Sequence, residues 1–316
     1  MSDPLLQVRN LTVDFGAQRV LSDVNFDLFR AETLGLVGES GSGKSTLARA
    51  ILRLLRPAQG SVEFSGVNLL SSSARVLRAQ RRNLQIVFQD PLASLNPRMR
   101  AGDAVAEPLK IFEPQSAPGA RRRQVAAMLE RVGLSADMAA RYPHELSGGQ
   151  CQRVAIARAM ILQPALLICD EAVSSLDVSI QGQIVNLLLD LQAQTGMAML
   201  FISHNLAVVR HLCSRVLVMY CGKLVEIADC DALFAAPLHP YTQALLAAVP
   251  RIDGTPGPAV PAAAEHSARA PSGCAFRYRC AFALPVCASQ EPPLAQISGG
   301  HWAACHRSHE TLNPLS

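Results

Sequence analysis

The sequence has little lysine, no long uninterrupted apolar stretch, no marked charge excess and no visible internal repeat. Only three of its 29 basic residues are lysines, Lys44, Lys110 and Lys223. Set against 25 acidic residues they leave a net charge of +4, too slight to argue for nucleic acid as the main partner. Every apolar run stops well short of the ~18–20 residues a membrane-spanning helix needs. The run over 160–169 contains Gln163 and Pro164 and then meets Asp170 and Glu171, and that over 197–202 is closed by Gly196 and His204. The opening residues MSDPLLQVRN lack the basic and apolar regions of a secretion signal, so the expectation is a chain made and kept in the cytoplasm. Its nine cysteines are then expected to be thiols or metal ligands rather than disulfides.

What is present is a chain of 316 residues, 49% apolar, enough for one large or two modest domains with a real core. That composition excludes a disordered chain, a collagen-like chain and a small disulfide scaffold. Short strand-like runs come early, over 5–8, 11–15, 34–37 and 62–64. From about Leu84 apolar runs (84–88, 166–169, 199–202, 216–219) alternate with helical patterns that follow Lys44, Ser147, Ser179 and Asn205. Near-continuous apolar strands separated by helices predict an open, mostly parallel α/β sheet. Between Gln89 and Ser147 the strand signal vanishes; 90–100 reads as a loop, and 121–132 and 135–142 as helices of an insertion. After about Pro250 prolines and glycines predict a linker, with a cysteine-rich tail beyond it.

Three motifs carry chemistry. Gly38-Glu39-Ser40-Gly41-Ser42-Gly43-Lys44-Ser45, followed by Thr46, fits G-x-x-x-x-G-K-[ST] between a strand and a helix. Its glycines let successive N–H groups turn inward, and the helix start adds its positive end. Lys44 is expected to reach the β- and γ-phosphates, and Ser45 to hold Mg²⁺. The second motif is an apolar strand ending in Asp170-Glu171, at the edge where such sheets bind ligands. Asp170 is expected to contact Mg²⁺ through water, and Glu171 to polarise the attacking water. The third is Leu146-Ser147-Gly148-Gly149-Gln150, a serine-capped, glycine-rich helix start and a second phosphate-binding candidate.

The phosphate loop, the Leu146–Gln150 helix start and the Asp170-Glu171 strand, in that chain order, resemble the ATP-binding cassette (ABC) ATPases over about 5–249. The resemblance implies a P-loop NTPase fold with an N-terminal antiparallel β subdomain, a mostly parallel core sheet, a helical subdomain (about 90–160) and a C-terminal extension. The cassette is expected over 1–250 and the extension over 251–316. The resemblance also implies roles for smaller marks. Gln89 ends a strand as the Q-loop glutamine does and touches Mg²⁺. Asp177 matches the D-loop, His204 the switch histidine, and Phe15 the aromatic that stacks on adenine. Gln89, Glu171 and His204 form the implied catalytic set. Leu146–Gln150 would act in trans, closing on ATP held by the P-loop of a second cassette. Ala172, where proline is common, Cys151 and Ser175 depart from the family pattern and remove no phosphate, Mg²⁺ or base group.

The runs 88–98, 177–181 and 237–250 resemble the ATPase subunits of bacterial oligopeptide and dipeptide importers, a subfamily that also serves nickel and glutathione uptake. Gln150 is closer to the second of the two ATPases such systems pair. The implied cofactors are ATP and Mg²⁺. The implied partners are a second ATPase subunit, like or unlike, two permease subunits and, indirectly, an extracytoplasmic solute-binding protein; nucleic acid is not among them. The implied location is the cytoplasmic face of the cell membrane. An ATPase of a soluble complex, similar to the carbon–phosphorus lyase accessory proteins, is the alternative. In the tail, Cys274-x5-Cys280-x6-Cys287-x17-Cys305 lacks the C-x2-C pairs of zinc ribbons. It is similar to a pattern that binds a 4Fe–4S cluster in this subfamily. Four reduced thiols in a loose extension is the other reading, and His301 or His306 could replace a thiol ligand.

Overall fold

The computed structural model describes residues 3–248 and 272–310. In chain order its elements are β1 (Leu6–Phe15), β2 (Gln18–Leu28), β3 (Thr33–Val37), α1 (Lys44–Ile51), β4 (Gln59–Phe64), β5 (Val67–Asn68), α2 (Ala74–Arg81), β6 (Leu84–Val87), α3 (Pro91–Ser94), α4 (Ala101–Phe112), α5 (Pro118–Arg131), α6 (Gly148–Met160), β7 (Leu166–Asp170), α7 (Val178–Thr195), β8 (Ala198–Ser203), α8 (Leu206–Leu212), β9 (Arg215–Tyr220), β10 (Lys223–Asp229), α9 (Cys230–Ala235), α10 (Pro240–Ala247), α11 (Val286–Ser289), β11 (Ala295–Ser298) and β12 (His301–Ala303). They fall into two compact units, each assembled from separate stretches of chain.

One unit takes residues 6–27, 33–64, 203–248 and 272–310. Strands run in the order β2-β1-β4 in one of its sheets, with β1 and β4 antiparallel. The runs expected at 5–8 and 11–15 are one strand, interrupted by a register shift between Arg9 and Thr12. Asn10 takes a left-handed φ of 49° there. Opposite it, a Cβ on Gly60 would come within 2.6 Å of the Arg9 and Asn10 carbonyls, so only glycine lets β4 approach. Strand β2 has no counterpart among the expected runs. Its buried residues, Leu21, Val24, Phe26 and Leu28, break the alternation at Asp23, whose φ is 52°. The second sheet of this unit runs β11-β12-β10-β9-β3. The β3–β9 pair is parallel, from Leu34 opposite Arg215 to Val37 opposite Val218. The β9–β10, β10–β12 and β11–β12 pairs are antiparallel.

The other unit takes residues 3–5, 28–32 and 65–202. Strands β6, β7 and β8 are parallel in that order. Every residue of β7 and β8 is buried, which is why they read as unbroken apolar runs. Among the described residues no strand lies between β6 and β7; that stretch is helical. Helix α4 was hidden by Gly102 and Pro108, residues that weaken a helical pattern. Gly102 is kept because a Cβ would meet the Ala139 methyl at 2.8 Å. The expected helix over 135–142 is a 3₁₀ turn, Ala136–Ala140, with no side-chain cap. The expected loop 90–100 contains α3, a single turn whose N-terminus is capped by Asp90, accepting from the Ala93 N–H at 3.0 Å. Arg75, Arg78 and Arg81 lie on α2 and Arg82 just beyond it; the helix buries only Leu77, so these arginines form a solvated face.

The linker expected after Pro250 lies outside the described residues. The tail beyond it is not a loose extension: β11 and β12 add to the edge of β10. A buried carboxylate fixes them. Glu226 of β10 is fully buried and accepts the N–H groups of Leu238 (2.7 Å) and His239 (2.9 Å), and His301 Nε2 lies 2.7 Å from its Oε1. Three polar partners are what make a buried carboxylate tolerable.

Candidate functional site

The phosphate-loop motif lies in the first unit, between β3 and α1. All five residues of β3 are buried, and the chain leaves it at Gly38. A Cβ on Gly38 would come 2.2 Å from the Met219 carbonyl oxygen, and one on Gly43, where φ is 109°, would come 2.8 Å from the Leu21 side chain. These two glycines let the loop lie flat against its neighbours. Gly43 is the N-cap of α1 and offers no side-chain cap, so the first amides of the helix stay directed at the loop. Lys44 is buried, and its Nζ donates to the carbonyls of Gly38 (2.8 Å) and Glu39 (2.9 Å). The loop therefore holds a cation inside its own curve.

Glu39 is held by both its backbone and its side chain. Its N–H donates to the Tyr241 hydroxyl at 2.8 Å, and its carboxylate receives Arg279 Nη1 and Nη2 at 2.8 and 2.7 Å. Sequence reasoning singled out neither Tyr241 nor Arg279. They stand 202 and 240 positions away, and no spacing rule connects them to the loop. In the same unit, Phe15 ends β1 half exposed, a large aromatic face turned to solvent. His204 follows β8 and is exposed; Asn205 beside it caps α8 by accepting from the Ala207 and Val208 N–H groups.

The paired carboxylates lie in the other unit. Asp170 ends β7 and is buried, whereas Glu171 is half-buried with a left-handed φ of 49°. Its N–H donates to Ile202 O at 3.0 Å, so β8 holds the turn that ends β7. Gln89 Nε2 lies 3.3 Å from Glu171 Oε2, and Ser175 Oγ donates to the Gln89 carbonyl at 3.3 Å. The two residues to which the resemblance assigns one reaction are thus brought together, and Ser175 is hydrogen-bonded to the first of them.

The glycine-rich helix start is also in this unit. Ser147 caps α6, accepting from the Gln150 N–H at 3.3 Å, while Gln150 Oε1 accepts from the Ser147 N–H at 2.9 Å. Ser147 and Gly148 are exposed. A Cβ on Gly149 would meet Ile180 at 2.8 Å, so the start of α7, whose N-cap is Asp177, packs against the start of α6. Cys151, where a basic residue is common, is buried and donates to Pro143 O at 3.4 Å. Cys169 is fully buried in β7, and burial pushes its thiol far up.

Cys274, Cys280, Cys287 and Cys305 line one cavity, beside Phe276, Phe282 and His306. Burial first, and then the neighbouring thiols, push the Cys280 thiol up to about 11. Among the described residues no three His, Cys, Asp or Glu side chains converge on a point as a single-ion site requires. His301 is committed to Glu226, which removes it as an alternative ligand.

Comparison with known proteins gives this arrangement its place. A family model described as ABC transporter matches residues 21–174, and one described as the C-terminal region of oligopeptide/dipeptide transporters matches residues 225–287. The probable peptide ABC transporter ATP-binding protein y4tS of Sinorhizobium fredii is 49% identical, with 97% of this chain and 90% of that protein covered. The oligopeptide transport ATP-binding protein OppF of Escherichia coli is 49% identical over 91% and 87%. The chain belongs to the ABC transporter ATP-binding proteins. Among solved structures, this ABC protein is similar to cbiO1 of Clostridium perfringens, part of the ABC transporter complex cbiONQ, with a TM-score of 0.67, 28% identity and coverage of 74% of this chain and 92% of that one. It is also similar to the ATP-binding cassette MJ0796, solved as a dimer bound to ADP and Pi, with a TM-score of 0.65, 29% identity and coverage of 71% and 98%. The fold is that of the P-loop ABC ATPases, and the chain is an ATPase that binds ATP.

Proposed function

We infer that this ATPase is the nucleotide-binding subunit of an importer that takes up peptides. The observation that carries the reading is the joint match of the cassette at 21–174 and the oligopeptide-type region at 225–287 in one chain. Relatives 44–49% identical over nearly its whole length are named for peptide or oligopeptide transport.

The roles of the residues follow from their chemistry. Gly38–Thr46 hold the phosphates, with Lys44 exchanging loop carbonyls for phosphate oxygens. Phe15 stacks on the adenine. Mg²⁺, when bound, neutralises the developing charge, and Ser45, Asp170 and Gln89 are the oxygen donors suited to it. Glu171 accepts the proton of the attacking water, Gln89 orients that carboxylate, and His204 steadies the γ-phosphate. Ser147 with Gly148–Gln150 completes the site of a second cassette, and Asp177 borders that contact. The working unit is therefore a dimer, with two permease subunits that receive its motion and an extracytoplasmic binding protein that delivers the solute. Among the described residues no helix is long and apolar enough to cross a membrane, so attachment at the cytoplasmic face falls to the permeases.

The four tail thiols line one cavity, and four cysteine thiolates are the ligand set of an iron–sulfur cluster. A 4Fe–4S cluster held by Cys274, Cys280, Cys287 and Cys305 would act as a structural clasp for the tail. Iron and acid-labile sulfide in anaerobically purified protein, lost together in Cys280→Ser, would support it; protein free of both would refute it.

Purification from the native membrane tests the main reading. The chain should co-purify with multi-span permease subunits and show ATPase activity stimulated by peptide-loaded binding protein. Lys44→Ala should lose nucleotide binding. Recovery only in soluble complexes without a permease would overturn the importer assignment.

A further inference from the structure

We propose that Arg279, from the cysteine-rich tail, is a positioning residue of the phosphate loop. It holds Glu39 in place and neutralises it, so that the loop can accept a polyanion. The inference rests on the reading of 38–46 as the nucleotide-binding loop.

Glu39 follows the first glycine of the loop, and its carbonyl is one of the two that hold Lys44 Nζ. Its carboxylate is thus carried by the loop around which triphosphate charge would gather. An unpaired carboxylate there would oppose binding by like-charge repulsion. The fork of Arg279 meets it with two parallel hydrogen bonds of 2.8 and 2.7 Å, the geometry in which arginine binds carboxylate most strongly. The guanidinium is well shielded, with its side chain 13% exposed against 40% for Glu39. The Glu39 carboxylate raises the pKa of Arg279 further above its ordinary value.

The arginine is itself fixed. Its Cζ lies 5.5 Å from the centre of the Phe276 ring and 5.9 Å from that of Tyr220. Phe276 is buried against Tyr220 and Tyr241, with ring centres 5.3 and 5.5 Å apart. The hydroxyl of the same Tyr241 accepts the Glu39 N–H. One aromatic cluster thus carries both groups that grip Glu39, one on its backbone and one on its carboxylate. Arg279 also immediately precedes Cys280, so whatever orders the thiol-lined cavity orders the arginine.

The test is steady-state ATPase kinetics of the full chain in its transporter complex. Arg279→Ala should raise KM for MgATP about fivefold to tenfold, with kcat changed less than about twofold, as loss of binding shared by ground and transition states gives. Arg279→Lys, which keeps the charge without the fork, should fall between. The loop with Glu39→Gln has no charge to neutralise, so Arg279→Ala added to it should raise KM little further, a non-additive pair. An unchanged KM in Arg279→Ala, or fully additive effects in the pair, would overturn the proposal. Nucleotide binding by Lys44→Ala separates the two levels. If Lys44→Ala binds nucleotide normally, the loop reading itself falls; if it loses binding while Arg279→Ala is normal, only the role of Arg279 does.

Discussion

A methyl group at Gly38 has nowhere to go. It would sit 2.2 Å from a backbone oxygen of Met219, which is fixed in a buried strand. Gly38→Ala should therefore displace the loop and weaken nucleotide binding at least about tenfold, or 1.4 kcal/mol. Gly41, with a φ of 79° and nothing within 4 Å of a would-be Cβ, differs in kind. Gly41→Ala should cost only the left-handed backbone preference, about 1 kcal/mol. Titration calorimetry of both variants with ATP checks the contrast; equal losses would contradict it. Glu171 shows another residue-scale effect. Its backbone is left-handed and its carboxylate lies 3.3 Å from Gln89 Nε2, two features that spacing alone does not reveal. The motif residues were legible because phosphate binding needs neighbouring amides in one continuous turn. Arg279 was not, because a carboxylate can be neutralised by any arginine the fold brings near.

Among the elements, the best-read ones bury every residue. Strands β3, β7 and β8 are uniformly buried, and uniform burial is written as uninterrupted apolar sequence. Elements with local irregularities are split or hidden in the sequence pattern. A bulge at Asn10 divides β1, a positive φ at Asp23 disturbs β2, and Gly102 and Pro108 disguise α4. In each case a neighbour settles what local preference leaves open. The β10–β12 edge depends on Glu226 in the same way. Glu226→Ala would strand two backbone N–H groups and His301, all inside the unit. It should destabilise the unit by roughly 3 kcal/mol, with β11 and β12 losing amide protection first. Urea unfolding and hydrogen exchange measure this; full protection of β12 in the variant would show that the carboxylate is not its anchor.

For the whole molecule, the chain crosses repeatedly between its two compact units, so neither is a continuous sequence segment. The loop and His204 belong to one unit, and the paired carboxylates and the signature helix start to the other. The chain carries one of each motif, so the reading requires a second cassette. Glu171→Gln should bind ATP, hydrolyse it at a small fraction of the native rate and accumulate as an ATP-dependent dimer. Ser147→Ala added to it should prevent that dimer. Light scattering with and without MgATP checks both, and a strictly monomeric Glu171→Gln saturated with ATP would contradict the trans role of Ser147. The sequence by itself determined where the candidate chemistry of this protein lies. Phosphate loops, strand-end carboxylates and capped glycine helix starts are local devices, each made from residues adjacent in the chain. Only the tertiary structure decided what holds those devices still. The partners of Glu39 and Glu226 are drawn from distant parts of the chain, and buried charge selects its counterpart by proximity in space, which no local pattern encodes.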